Sequence, residues 1–157
     1  MHIVVAPDSF KGSLSAKQVG DIIGNALMLE LPHASISVFP MADGGEGTVD
    51  SFLHATGGKR VTLRATGPDG RTVTTYYGAL ESPRLAVIEI AAVAGLSLVP
   101  VERRNPMLLG TYGVGECILH ALDSGFSHLI IGLGGSATND GGIGMLQALG
   151  AKFYDRG

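Results

Sequence analysis

The chain has 157 residues, 45% of them hydrophobic, with 24 glycines, a single cysteine and a formal net charge of −3. That length and hydrophobic content suit one ordinary domain with a buried core. The acidic balance without a basic run gives no footing for nucleic acid, Cys117 alone excludes a disulfide framework and a multi-cysteine metal site, and no run of about 18 apolar residues marks a membrane span.

The chain enters a strand pattern at once, His2–Ala6, with no basic segment leading into a long apolar one. The expectation is therefore a soluble cytoplasmic protein with no membrane partner. The loop PDSFKGS follows, then a helix. Its start carries a capping-box pattern, Ser15 with Gln18 three residues on. Val19, Ile22, Ile23, Ala26 and Leu27 recur at helical spacing, and Pro32 stops the run. A second unit repeats the design: strand Ser35–Phe39, loop PMADGGEG, helix Thr48–Ala55, closed by Gly57 and Gly58. The next stretch changes style. Arg60–Ala65 and Thr72–Tyr77 alternate polar and apolar residues around Gly67–Gly70 (GPDG), which predicts a hairpin. Leu85–Ala91 reads as a strand and leads through AGLSLVP to the loop RNPMLLGTYGVGE. A helix is expected from Glu116 to Asp123, ending near Gly125. From Ser127 a third strand–loop–helix unit begins: HLIIGL, the loop GGSATNDGG (134–142), and a helix over Ile143–Leu149.

Strands alternating with helices predict a Rossmann-like α/β fold with parallel strand–helix–strand units. Residues 1–58 and 121–157 are expected to share that domain, with 59–120 as a second, hairpin-containing region. In such a sheet the strand-to-helix loops emerge at one edge, where ligands bind. The three loops are therefore expected to meet at one site. The glycines, far above the usual share of about 7%, cluster in these loops.

The loops offer distinct chemistry. The first carries Asp8, Ser9, Lys11 and Ser13. Lys11 supplies a point charge suited to phosphate, although the order is not that of a Walker loop. The second places two carboxylates, Asp43 and Glu46, among three glycines. The third sets Ser136, Thr138, Asn139 and Asp140 inside four glycines. A glycine loop feeding a helix start suits an anion. Asp140 adds a group that fits a metal ion, a proton acceptor or a sugar-like hydroxyl. The G-x-G-x-x-G dinucleotide fingerprint is missing. A fourth loop holds Arg103, Arg104 and Thr111, and an arginine fork suits carboxylate or phosphate. Glu89 interrupts an apolar strand (AVIEIAA). Such a charge is either satisfied by a partner or faces the site. His2, His33, His54, His120 and His128 show no metal-ligand spacing.

Taken in order, VAPDSFKGSLSA, PMADGGEGTVDS, AVIEIAAVAGLSLVP, RNPM…TYGVGE and IIGLGGSATNDGGIGMLQALGA resemble the N-terminal part of the glycerate kinases of the bacterial type I family, over essentially the whole chain. The resemblance implies two α/β domains with a cleft between them, and ATP- and Mg²⁺-dependent phosphorylation of D-glycerate to phosphoglycerate, usually the 2-phospho product. It also implies that sequence continues after residue 157. The fragment is then expected to lack parts of the nucleotide site, and its oligomeric state is open. The rival reading is a non-catalytic α/β module that binds an anion or phosphate. On the kinase reading, Asp43 or Asp140 takes or orients the substrate hydroxyl proton, and the other holds Mg²⁺. Lys11 stabilises the transferring group. Gly134, Gly135, Ser136 and Asn139 cradle phosphate or the glycerate carboxylate, which Arg103 or Arg104 helps fix. Asp8, Ser9 and Glu46 complete the lining. One departure concerns Leu108–Gly110, which stands where the family usually has a Thr-rich stretch.

Overall fold

A computed structural model describes residues 1–155. Strand β1 (His2–Val5) leads through the first loop to α1 (Ala16–Glu30). The expected capping box forms: the Gln18 amide donates to Ser15 Oγ at 3.2 Å, and the Ser15 amide donates to Gln18 Oε1 at 2.9 Å. Two otherwise orphaned donors are satisfied reciprocally. Ser15→Ala should lower stability by about 1 kcal/mol, read as a reduced urea midpoint with an unchanged slope.

The helix buries a different face from the one its branched residues suggest. Ala16, Val19, Gly20 and Gly24 are buried, whereas Ile22 and Ile23 are 57% and 40% exposed. The small face wins because α1 lies directly on Val38 of β2 (Ser35–Val38). A Cβ at Gly20 would come within 2.5 Å of Val38 Cγ1. β2 pairs with β1 in parallel to form a two-stranded sheet, and α2 (Thr48–Thr56) follows.

The remaining strands make a second sheet. β3 (Lys59–Thr66) and β4 (Thr72–Leu80) form the expected antiparallel hairpin, with Lys59 opposite Ala79 and Thr66 opposite Thr72. β5 (Leu85–Glu89) pairs antiparallel to β4, and β6 (His128–Gly132) pairs parallel to β5. The hydrogen bonding joins β6 to β5, in the order β3-β4-β5-β6, and β1-β2 form a separate two-stranded sheet.

The chain between β5 and β6 contains α3 (Ala91–Ala94), three short 3-10 turns and α4 (Tyr112–Asp123). α4 starts four residues earlier than expected, because Gly113 and Gly115 are packing glycines rather than helix breakers. A Cβ at Gly113 would fall 1.9 Å from the Thr66 carbonyl oxygen. One at Gly115 would fall 2.4 Å from that of Met145 in α5 (Ile143–Ala148). With bare backbone there, α4 sits close on β3 and α5.

The core lies under α4, where Val114, Cys117, Ile118 and Ala121 meet Tyr77, Ala86, Ile88 and Phe126. Burial pushes the Cys117 thiol up to about 12, so it behaves as a small hydrophobe. Among the described residues no helix is long and apolar enough to cross a membrane.

Candidate active site

Loop two is the hinge of the arrangement. On one side it is tied to loop one, since the Met41 amide donates to the Pro7 carbonyl at 2.8 Å. On the other, the Gly134 amide donates to the Gly44 carbonyl at 3.0 Å. This second contact is backbone against backbone: a Cβ at Gly134 would lie 2.5 Å from both N and Cα of Gly45. Nothing at that contact can rotate away. Gly134→Ala should therefore destabilise by about 1–3 kcal/mol, measured by urea denaturation. The mixed polar–glycine composition of loops two and three thus has a packing cause in part.

Two clefts flank this contact, and no residue lines both. The first, of about 640 Å³, is edged by Ser9, Lys11, Ser13, Glu46, Asp50 and His54. Lys11 is exposed and makes no ion pair among the described residues. The second, of about 540 Å³, has a polar edge of Thr111, Ser136, Thr138, Asn139 and Asp140 over an apolar floor that includes Val114, Ile131 and Met145. Loop two touches both of the others, while loops one and three line separate clefts of this chain, with β1 and β6 in different sheets.

Asp43 is exposed on the loop between the clefts. Its Oδ1 accepts the Gly45 amide at 3.0 Å, and Oδ2 has no hydrogen-bond partner among the described residues. Glu46, also exposed, points chemistry into the first cleft. Asp8 is exposed, accepts the Ser9 amide at 2.6 Å and lines neither cleft.

Asp140 is a different kind of carboxylate from the one the sequence suggests. Its Oδ2 accepts the Thr111 hydroxyl at 2.7 Å, the Thr111 amide at 2.8 Å and the Gly144 amide at 3.1 Å. Its Oδ1 accepts the Gly142 amide at 3.1 Å. Burial alone would raise its pKa. The bonds from Thr111, Gly144 and Gly142 outweigh that and hold it below the ordinary carboxylate range. The carboxylate clasps the start of α5 to the start of α4, and Thr111 Oγ1 completes the clasp by accepting the Met145 amide at 3.0 Å. Oδ2 is fully engaged and Oδ1 accepts one amide, so within this chain the carboxylate serves to fix loop three at the edge of the second cleft.

Other amides of loop three are engaged as well. Ala137 donates to the Ala94 carbonyl at 2.9 Å and Thr138 to Ser136 Oγ at 3.1 Å, while the Gly135 carbonyl accepts the Leu96 amide at 2.9 Å. Ser136 Oγ also shares a 2.8 Å bond with Thr138 Oγ1. Of the expected phosphate cradle, Ser136 and Asn139 remain on the cleft edge, and Gly134 is committed to loop two. Arg104 Nε donates to the Val99 carbonyl at 3.1 Å, Arg103 pairs with Asp69 at the hairpin tip, and neither arginine lines either of these two clefts.

The question posed by Glu89 is answered by burial. It is 2% exposed, and its two oxygens accept the amides of Gly47 (3.3 Å) and Val49 (2.9 Å) at the head of α2. Burial pushes its carboxyl up, and the Val49 and Gly47 amides offset part of that rise. Tyr76 stands beside it. Burial first, then the Glu89 charge, pushes the Tyr76 hydroxyl up to about 12. Glu89 and Thr111 are the two positions whose importance the sequence understated. The signal for Glu89 was an ionisable residue within an apolar strand. For Thr111 it was a hydroxyl just before a helix.

Among the described residues no three His, Cys, Asp or Glu side chains converge on a point where they could hold one metal ion.

Residues 3–157 match the sequence model of the glycerate kinase family. A glycerate kinase of Bacillus subtilis (strain 168) is 51% identical over 155 residues, and a glycerate 2-kinase of Escherichia coli (strain K12) is 50% identical over 155 residues. Each alignment covers 99% of this chain and 41% of the relative, so the chain spans less than half the length of these curated relatives. A crystal structure of a glycerate kinase 2 candidate from Salmonella typhimurium LT2 superposes with a TM-score of 0.83 at 50% identity. It matches 99% of this chain and 42% of that one.

Proposed function

Because the chain belongs to the glycerate kinase family, we propose that it forms part of an enzyme that transfers the γ-phosphoryl group of ATP to D-glycerate, giving 2-phosphoglycerate and ADP. The observation that carries this reading is Lys11, without an ion pair among the described residues, in a cleft edged by loop two, the loop that also bears an exposed carboxylate, Asp43. Phosphoryl transfer needs positioning and charge neutralisation more than covalent chemistry, and these residues supply both. The substrate hydroxyl oxygen forms a bond to the γ-phosphorus. The bond from phosphorus to the β,γ-bridging oxygen breaks, and ADP leaves with that electron pair. Asp43 Oδ2 takes the hydroxyl proton. Lys11 stabilises charge on the transferring group, with Ser9 and Glu46 completing the wall. Ser136 and Asn139 serve the second cleft.

Mg²⁺ belongs to the nucleotide substrate on this reading. It neutralises phosphate charge and needs only one or two protein carboxylates beside the phosphates. With Asp43 Oδ2 as proton acceptor, Glu46 is the exposed carboxylate of loop two that would meet it. Asp140 holds the fold of loop three instead.

The test is a coupled ADP-release assay with D-glycerate, run on the 157-residue chain and on a chimaera joining it to the rest of the Bacillus subtilis relative. Glycerate-dependent ADP release by the chimaera is expected. Binding of phosphate or glycerate by both proteins, with no turnover by either, would replace the kinase with an anion-binding module.

A further inference from the structure

Glu89 is a buried carboxyl group for which the proposed chemistry has no use. It lies on β5, in the second sheet, yet both of its oxygens bond the head of α2, 40 residues earlier in the chain. A helix start offers free amides and a positive dipole end. In this protein two of those amides are already met by a carboxyl group from within. The same carboxylate fixes the turn Gly45–Gly47, which is also held by the Thr48 hydroxyl donating to the Gly45 carbonyl at 2.8 Å. Asp43 only accepts the Gly45 amide within its own turn, so the loop takes its place from Glu89, from the Gly134 contact and from the Met41 bond to Pro7.

We propose that Glu89 is a positioning residue: an internal carboxyl group that occupies the Gly47 and Val49 amides, locks loop two onto β5, and so holds Glu46 at the edge of the first cleft and Asp43 on the loop beside it, while closing the head of α2 to ligand phosphate. The catalytic consequence rests on the kinase reading above; the anchoring does not. Charged and titratable neighbours face Glu89 from each packed element. They are Glu46 and Asp50 from loop two and α2, Tyr76 from β4, and Arg60 from β3. Arg60, which pairs with Asp50 and lies 4.0 Å over the Tyr76 ring, supplies positive charge on this side.

Two measurements test this. In the 157-residue chain, the Glu89 carboxyl carbon and the Gly47 and Val49 amides are followed by NMR from acid to neutral pH. The two amides should move with the Glu89 titration. Amides that keep their shifts while Glu89 titrates would overturn the anchoring, and this needs no variant. In the chimaera, Glu89→Gln retains an acceptor for Val49 but turns an NH2 toward Gly47. It should lower kcat by about 10- to 100-fold with KM for D-glycerate and for ATP within about threefold. A folded Glu89→Gln variant with kcat within about twofold of the parent would overturn the positioning role. A parent chimaera that never phosphorylates D-glycerate would instead sink the kinase reading, and the amide titration would still decide the anchoring.

Discussion

Asp43→Asn in the chimaera is expected to lower kcat by about 10²- to 10⁴-fold, the usual contribution of a positioned acid or base, while leaving stability nearly unchanged. The two halves of this expectation come from the same geometry. Asp43 is exposed, and its one bond within the protein is the 3.0 Å contact from the Gly45 amide to Oδ1. Asparagine keeps an oxygen in that position, so the turn survives. It loses the charge and basicity at Oδ2, the atom left open toward substrate. Steady-state kinetics beside a urea denaturation curve separate the effects. A variant with near-normal kcat would remove Asp43 as proton acceptor.

Asp140→Ala should do the reverse, with its primary effect on folding. Four donors meet this carboxylate, and hydrogen bonds to a charged group contribute about 1.5–3 kcal/mol each when intact. They are not additive around one carboxylate. Water can also reach a half-buried site, so the expected loss is roughly 3 kcal/mol, seen as a lower urea midpoint. The pH dependence has a fixed sign. The folded state holds the Asp140 pKa below its ordinary value. Its contribution is therefore complete above the unfolded pKa of about 3.9 and is lost as pH falls through the folded one. The stability gap between Asp140→Ala and the parent should be full at neutral pH and close in strong acid. A gap that stayed constant to low pH would show that the carboxylate charge does not hold the clasp.

The contrast between these carboxylates shows what a sequence can carry. Local signals read well. Ser15 with Gln18 names the start of α1, and GPDG names the hairpin turn, because each depends on residues within a few positions of each other. Pairing partners did not read as well. The apolar run at His128–Leu133 specifies a strand but not its neighbour, and β6 joins β5 rather than β1 or β2. Gly113 and Gly115 look like breakers until the atoms opposite them, Thr66 O and Met145 O, are known. The loops misled for the same reason. Glycine followed by a helix start advertises free amides, yet α2 is capped by Glu89 and α5 by Asp140 together with Thr111. Glu89 and Thr111 stand about 30 to 40 positions from the amides they meet, beyond any local pattern, whereas Asp140 lies only four positions from Gly144. What survives as open chemistry is side-chain rather than backbone: Lys11, Asp43, Glu46, Ser136 and Asn139.

The central claim is that these open groups serve phosphoryl transfer from ATP to a glycerate hydroxyl. Phosphorus-31 NMR of the chimaera with ATP, Mg²⁺ and D-glycerate tests it most directly. The predicted spectrum gains a phosphomonoester resonance matching authentic 2-phosphoglycerate as the γ-phosphate signal falls, and Lys11→Met and Asp43→Asn each suppress it. Loss of the γ-phosphate to inorganic phosphate alone, or at a rate indifferent to D-glycerate, would contradict the account.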